Sequence, residues 1–291
     1  MPVVVPYTRG QVLYRNLLRD ALSVVYSGTE TVGMELENAY DLNDWSFFAT
    51  QSSISTTLEF TLPYGSLYDT IALMIVPFST TELPDELIIG LGLIGQGQIG
   101  LSDGECTVTI SRETGDGTNV WVDIATHTFT GTDSLWYLNL PALYVTNNNE
   151  RLRMTFANIP GSQMLIREMS VGRRLEFEIG QHANVAPPSL ASGFVLTNTP
   201  SMNGSLLGRQ TRRVEKVAEI KLELLSPTWV YNQWNPFALF AAKYGPFFYS
   251  WNYYSKPEDS CLVTATDIQA PINMSGKPYL MEVSMPLRVI T

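Results

Sequence analysis

The run from Trp229 to Tyr254, WVYNQWNPFALFAAKYGPFFYSWNYY, holds 12 of the chain's 32 aromatic residues. Rings at that density must pack against one another, because burying them is the largest favourable contribution available to the segment. The punctuation predicts a short helix inside it. Asn235 is placed to cap, Pro236 suits the first helical position, and Phe237, Phe240 and Tyr244 recur at helical spacing. Gly245 and Pro246 stop the helix, and an extended aromatic stretch, Phe247–Tyr254, follows. Trp234, Phe237, Phe240, Tyr244, Phe247, Phe248 and Trp251 are the expected core aromatics, with some rings available to a subunit interface. The run carries no catalytic dyad, metal-ligand spacing or phosphate loop, which favours a structural or binding role.

Only 16% of the 291 residues are charged, against about 25% in ordinary globular proteins. A chain of this length defaults to two domains. Net charge supports a division. Residues 1–202 hold 9 Arg, no Lys and 21 acidic residues, a net of −12, whereas residues 203–291 hold 9 Lys+Arg and 7 acidic residues, a net of +2. The acidic part argues against nucleic-acid binding, which needs clustered cations. Arg209, Arg212, Arg213 and Lys216 do cluster, and read as a charged strand edge or a subunit contact.

Cys106 and Cys261 fall in different predicted domains and read as free buried thiols of a protein made in a reducing cytosol. The start, MPVVVPYTRG, lacks signal-peptide organisation. Apolar runs such as Ile71–Phe78 are far shorter than the roughly 20 residues of a spanning helix, so no membrane insertion is expected.

The fold class expected is mainly β, with an N-terminal jelly-roll-like β-sandwich and a smaller C-terminal β-domain containing one short helix. Residues 1–29 form an N-terminal segment packing with the C-terminal domain, with a helix over Gln11–Ala21 and a strand over Leu22–Tyr26. Residues 30–175 form the sandwich, from strands at Ser55–Leu62, Thr70–Pro77, Leu87–Leu93, Glu105–Arg112, Val120–Thr128, Leu135–Leu140, Arg151–Ala157 and Met164–Val171. Thr107–Ile110 and Leu152–Phe156 alternate with period two, giving one core face and one outer face. Thr114–Asn119 is a hairpin turn around Asp116-Gly117. Residues 176–204, with Pro187-Pro188, Pro200 and Asn203-Gly204, read as a linker. Residues 205–291 form the closing β-domain, with strands at Arg212–Leu225, Cys261–Thr266 and Met281–Ile290.

Neither His127 nor His182 has a partner at metal-ligand spacing. The run Gly90–Gly100 lacks the Lys-Ser/Thr ending of a phosphate loop. Neither an enzyme activity nor a cofactor or metal is expected. Exposed aromatics on a sandwich can stack on sugar rings, and Trp45, Trp121, Trp136 and Tyr137, with Asp116 in the turn, are the candidates. The competing reading places these rings in the core.

Two stretches resemble tailed-bacteriophage virion structural proteins. Residues ~30–175 are similar to the discoidin/galectin-like sandwich of such proteins in Ser111–Trp121 (SRETGDGTNVW), Arg151-Leu152-Arg153 and Met169–Leu175 (MSVGRRL). Residues ~205–291 resemble their closing β-domain in Leu207-Gly208-Arg209, the helix Asn235–Tyr244, Pro246–Trp251 (PFFYSW) and Asn273–Ser284 (NMSGKPYLMEVS). The resemblance implies a non-enzymatic tail-tip or baseplate component of distal-tail type. It would be made in the host cytoplasm and would form a ring with copies of itself beside other phage tail proteins. No receptor motif carries over residue by residue. The alternatives are a tail fibre or carbohydrate-binding module that takes host surface glycans, and a head-decoration or collar protein.

Overall fold

Period-two alternation organises the chain in its computed structural model, which describes residues 9–30, 32–43, 46–50, 54–76, 105–114, 119–131, 133–147, 150–159, 164–181, 185–188, 192–200, 206–274 and 277–290. The chain divides into two units, residues 1–14 with 174–291, and residues 15–173. Strand β1 (Gln11–Leu13) belongs to the first. The second contains β2 (Ser23–Tyr26), β3 (Phe48–Ala49), β4 (Ser55–Thr61), β5 (Leu67–Ile75), β6 (Glu105–Glu113), β7 (Trp121–Thr130), β8 (Leu135–Val145), β9 (Arg151–Ala157) and β10 (Leu165–Gly172).

Residues 15–173 are a β-sandwich of two antiparallel sheets, one ordered β2-β4-β9-β6-β7 and the other β3-β10-β5-β8. The inward positions of the first, including Leu58, Phe60, Val108, Ile110, Leu152, Met154 and Phe156, meet Phe48, Ile71, Leu73, Ile75, Ile166 and Val171 of the second in one core. Strand β8 runs five residues past the expected Leu140, through Pro141. Its pairing with β5 jumps from Thr70 opposite Asn139 to Tyr68 opposite Tyr144, so a bulge absorbs the proline. The expected strand over Leu87–Leu93 and the glycine run Gly90–Gly100 lie outside the described residues.

The other unit adds β11 (Leu175–Glu176), β12 (Ser192–Pro200), β13 (Leu206–Leu225), β14 (Phe247–Ser250), β15 (Ser260–Ala265), β16 (Ile272–Met274) and β17 (Lys277–Ile290). They form one sheet ordered β11-β1-β14-β15-β17-β13-β12, with β16 also on β17. Helix α1 comprises Pro227–Trp229, a π-helical turn Val230–Trp234, and Asn235–Tyr244. It buries Val230, Trp234, Phe237, Ala238 and Ala241 against Ile220, Leu222, Phe247, Tyr249, Val263, Val283 and Met285. Trp234 packs edge-on to Phe237, and Phe237 to Phe247, at 5.4 and 4.9 Å between ring centroids. Phe248 is also buried, Trp251 packs at the margin, and Tyr244 is exposed. Most of the expected aromatic core is therefore core. Phe240 is half-buried, against Tyr14.

Four expectations need correction. The helix over Gln11–Ala21 is a strand followed by a 3-10 turn at Leu17–Asp20, because all three positions of β1 are buried between β11 and β14, while Leu18 enters the sandwich core. The segment 1–29 splits, since Ser23–Tyr26 pairs with β4 in the sandwich. The stretch 176–204 is not a plain linker, because Ser192–Pro200 pairs along β13 from Lys216 to Leu206. Asn235 does not cap the helix. Ser226 does, accepting from the Trp229 N–H at 3.3 Å, and its own N–H and hydroxyl donate to Glu178. The π-helical turn carries the helix through Asn235 without a break, which the Asn-Pro punctuation conceals. Gly245, at φ 87°, ends it as expected.

Both cysteines are free and buried, and burial pushes the Cys106 thiol up to about 11. Among the described residues no helix is long and apolar enough to cross a membrane.

One buried carboxyl makes the sandwich sensitive to pH. Glu168 on β10 accepts from Asn16 Nδ2 at 3.4 Å and from the Leu42 N–H at 3.3 Å. Burial first, and the Asp41 charge second, hold its pKa well above the usual carboxylate range. The folded state therefore holds a proton that the unfolded chain releases near the ordinary glutamate value. Stability should fall as pH rises from about 4.5 through the raised folded value. Denaturant midpoints across that range should show the fall in the native chain and lose it in Glu168→Gln.

Candidate functional site

The outer face of the five-stranded sheet follows from the same alternation. With Leu152, Met154 and Phe156 inward, Arg151, Arg153 and Thr155 point outward from β9. Register places Glu59 of β4 opposite Arg153, Ser111 of β6 on its other side, and Trp121 of β7 opposite Glu113.

These side chains form a hydrogen-bonded grid. Arg151 donates through Nε and Nη2 to the two oxygens of Glu113, at 2.8 and 2.7 Å, and through Nη1 to Glu59 at 3.4 Å. Arg153 meets Glu59 at 2.6 Å and lays its guanidinium 3.6 Å from the centre of the Trp121 ring. Asn119, at φ 56°, closes the margin. The left-handed conformation, tolerated by asparagine, turns its N–H to Glu113 and lets its side-chain oxygen accept from Arg151. The indole of Trp121 is only half-buried, so part of a fixed aromatic surface meets solvent within a fork of donors and acceptors.

The Arg151 hydrogen bond holds the Glu113 carboxyl below the usual carboxylate range, and the same pairing raises the Arg151 guanidinium. A general acid needs the opposite shift. The grid is built to stay ionised and to position hydrogen bonds.

The other sugar-stacking candidates separate. Trp45 and Asp116 lie outside the described residues. Tyr137 is buried, 5% exposed. Trp136 packs on the sandwich core and stacks on His127, with ring centroids 5.1 Å apart at 16°. Residue 136 pairs with the core residue Leu73 and residue 127 with Val108, so this stack seals an edge between the sheets. Desolvation lowers the His127 pKa and keeps it neutral there. A second polar cluster is also structural. Arg112 grips the nearly buried Glu150 through two nitrogens, Tyr68 donates to the same carboxylate, and Tyr144 stacks on Tyr68.

The sequence pattern marks Trp121 but not Glu59, Glu113 or the roles of Arg151 and Arg153. The available signal was an Arg-x-Arg and a Thr-x-Glu-x-Thr on alternating strands, which only register brings together. Among the described residues no group of three or more His, Cys, Asp or Glu is arranged to hold a metal ion.

No family model matches the chain, and no curated protein matches it. Solved structures do. A Ruminococcus gnavus GH29 fucosidase in complex with fucose aligns over 56% of this chain and 28% of its own, at 14% identity and a TM-score of 0.41. CBM32-1 from a family 31 glycoside hydrolase of Clostridium perfringens aligns over 55% of this chain and 98% of its own, at 11% identity and 0.38. Chitosan-binding module 1 from a chitosanase/glucanase of Paenibacillus sp. IK-5 aligns over 54% and 98%, at 15% and 0.37. The chain thus spans under a third of the fucosidase. Likeness this slight assigns no function, so the functional reading rests on the face itself.

Glu113 has no exposed side-chain surface, while Arg151 retains about a quarter of its own. Replacing Glu113 with Gln should cost on the order of 1–2 kcal/mol in denaturant unfolding, as charge-assisted hydrogen bonds are lost. Because its folded pKa is lowered, the native chain should lose this contribution as pH falls below about 4.5, and the variant should not.

Proposed function

We propose that residues 15–173 are a carbohydrate-binding module and that the outer face of the five-stranded sheet is its binding surface. The observation that carries this reading is the half-exposed Trp121 ring held by Arg153 beside the Arg151–Glu113–Glu59 grid. Pyranose rings stack an apolar face on an indole and offer their hydroxyls to neighbouring forks of donors and acceptors. Arg, Glu and Asn at fixed spacing supply both kinds of partner. The lowered Glu113 pKa supports binding without hydrolysis.

A second reading, self-assembly, has one observation in its favour. The half of β13 from Leu206 to Lys216 pairs with β12, and β17 joins only from Val217 onward. Among the described residues this makes a two-stranded ribbon, which is marginal in water without a further strand. Its strand edges, which pair with no third strand among the described residues, suit edge pairing with a second copy. A ring-forming virion component, as the sequence resemblance implies, would use such a ribbon. Both readings are compatible, because an assembled protein can present a glycan-binding face.

Purified full-length chain on a glycan array should bind a defined subset of saccharides. Trp121→Ala should abolish binding with its far-UV dichroism unchanged. Trp136→Ala should instead lower thermal stability and leave sugar selectivity unchanged. Equal array signals for native protein and Trp121→Ala would defeat the proposal. Light scattering after size exclusion should give a closed multimer if the ribbon pairs between copies, and deleting residues 192–216 should return a monomer.

A further inference from the structure

Beyond Trp121, the sheet carries a regular row of hydroxyls. Thr126 of β7 lies opposite Thr109 of β6, Thr109 opposite Thr155 of β9, and Thr155 opposite Thr57 of β4. All four are exposed or half-buried. The row crosses four neighbouring strands without a break in register. Thr109 and Thr126 bring their hydroxyls within 3.3 Å of each other.

β-Branched side chains on a paired sheet are held in few rotamers, so these hydroxyls are fixed before any ligand arrives. Three interstrand gaps of about 4.8 Å give the row a length of roughly 14 Å. That matches a short linear oligosaccharide and exceeds one sugar ring.

The charge around the row is settled as well. Arg151 and Arg153 are both engaged with carboxylates. Ser111 donates to Asp123 at 2.7 Å. Residues 15–173 contain 7 Arg, no Lys and 19 acidic residues, a net of −12. An acidic glycan would meet a repelling field and no spare guanidinium.

We infer that this face takes a linear, uncharged glycan chain with one ring on Trp121 and the following rings over the threonine row, whose Thr155 lies two residues, about 7 Å, along β9 from the Arg153 that holds the indole. The inference rests on the carbohydrate-binding reading and deepens it. It predicts selectivity against carboxylated sugars and for chain length, the second of which a pocket for one terminal sugar would not show.

The test is calorimetric titration of the full-length protein with ladders of one to about six units. Neutral β-linked gluco-, manno- and N-acetylglucosamine oligomers would be compared with an oligogalacturonate ladder. Affinity for at least one neutral ladder should rise tenfold or more (about 1.4 kcal/mol) between the single sugar and about three units, then level off. The galacturonate ladder should remain weak at every length. The double variant Thr109→Val and Thr155→Val keeps side-chain volume and β-propensity and should melt as the native protein does. It should hold single sugars as before and lose the gain with length. Equal affinity for one and three units, tighter binding of galacturonate, or an unaltered length dependence in the double variant would each overturn the inference and leave a carbohydrate-binding face standing. Failure of every sugar to bind would overturn the underlying reading with it.

Discussion

Closing the sandwich core commits every second residue of β4, β6 and β9 to the interior, and everything on the outer face follows from that commitment. Leu152, Met154 and Phe156 have no exposed surface, and burying them contributes about 1.5–3 kcal/mol each. A slip of one residue would expose them and bury Arg151, Arg153 and Thr155, which makes the register costly to break. The polar grid and the threonine row are therefore positioned by apolar packing on the opposite side of the same strands. A face held this way is rigid, so the binding proposed for it would cost little conformational entropy.

The two units solve the burial problem differently. Residues 15–173 stack sheet on sheet, whereas the remainder covers one large sheet with helix α1. The aromatic run serves that second solution. Trp234 and Phe237 lie at the centre of the cover, and truncating a fully buried ring of this size typically costs about 3–5 kcal/mol. The acidic balance belongs to residues 15–173 and the slight basic excess to the other unit, and the chain boundary between them lies at residue 174 rather than at the charge break near residue 203.

Much of the sandwich was legible because its strands alternate cleanly. Arg151–Ala157 is bounded in the structure as the pattern predicts, and Glu105–Arg112 is short by one residue. Legibility failed where long-range partners decide. The stripe Leu13, Leu17, Leu18 imitates a helix, but Gln11–Leu13 is captured between two strands distant in sequence. Ser192–Pro200 is rich in turn formers and becomes a strand only because β13 is long enough to template it. At the site, Trp121 was visible as an aromatic beside a turn, whereas Trp136 was equally visible and lies in the edge seal. Its stacking on His127 depends on the approach of two sheets, which no local pattern records.

The central claim is that the outer face of the five-stranded sheet, rather than a loop or the other unit, receives the sugar. Amide and threonine-methyl NMR shifts of the full-length protein, followed as a binding oligosaccharide is added, test it most directly. The account predicts perturbations at Trp121, Arg151, Arg153, Thr109 and Thr155, with inward neighbours such as Met154 shifting less. Perturbations confined to residues 174–291, or to loops away from β4, β6, β7 and β9, would contradict it.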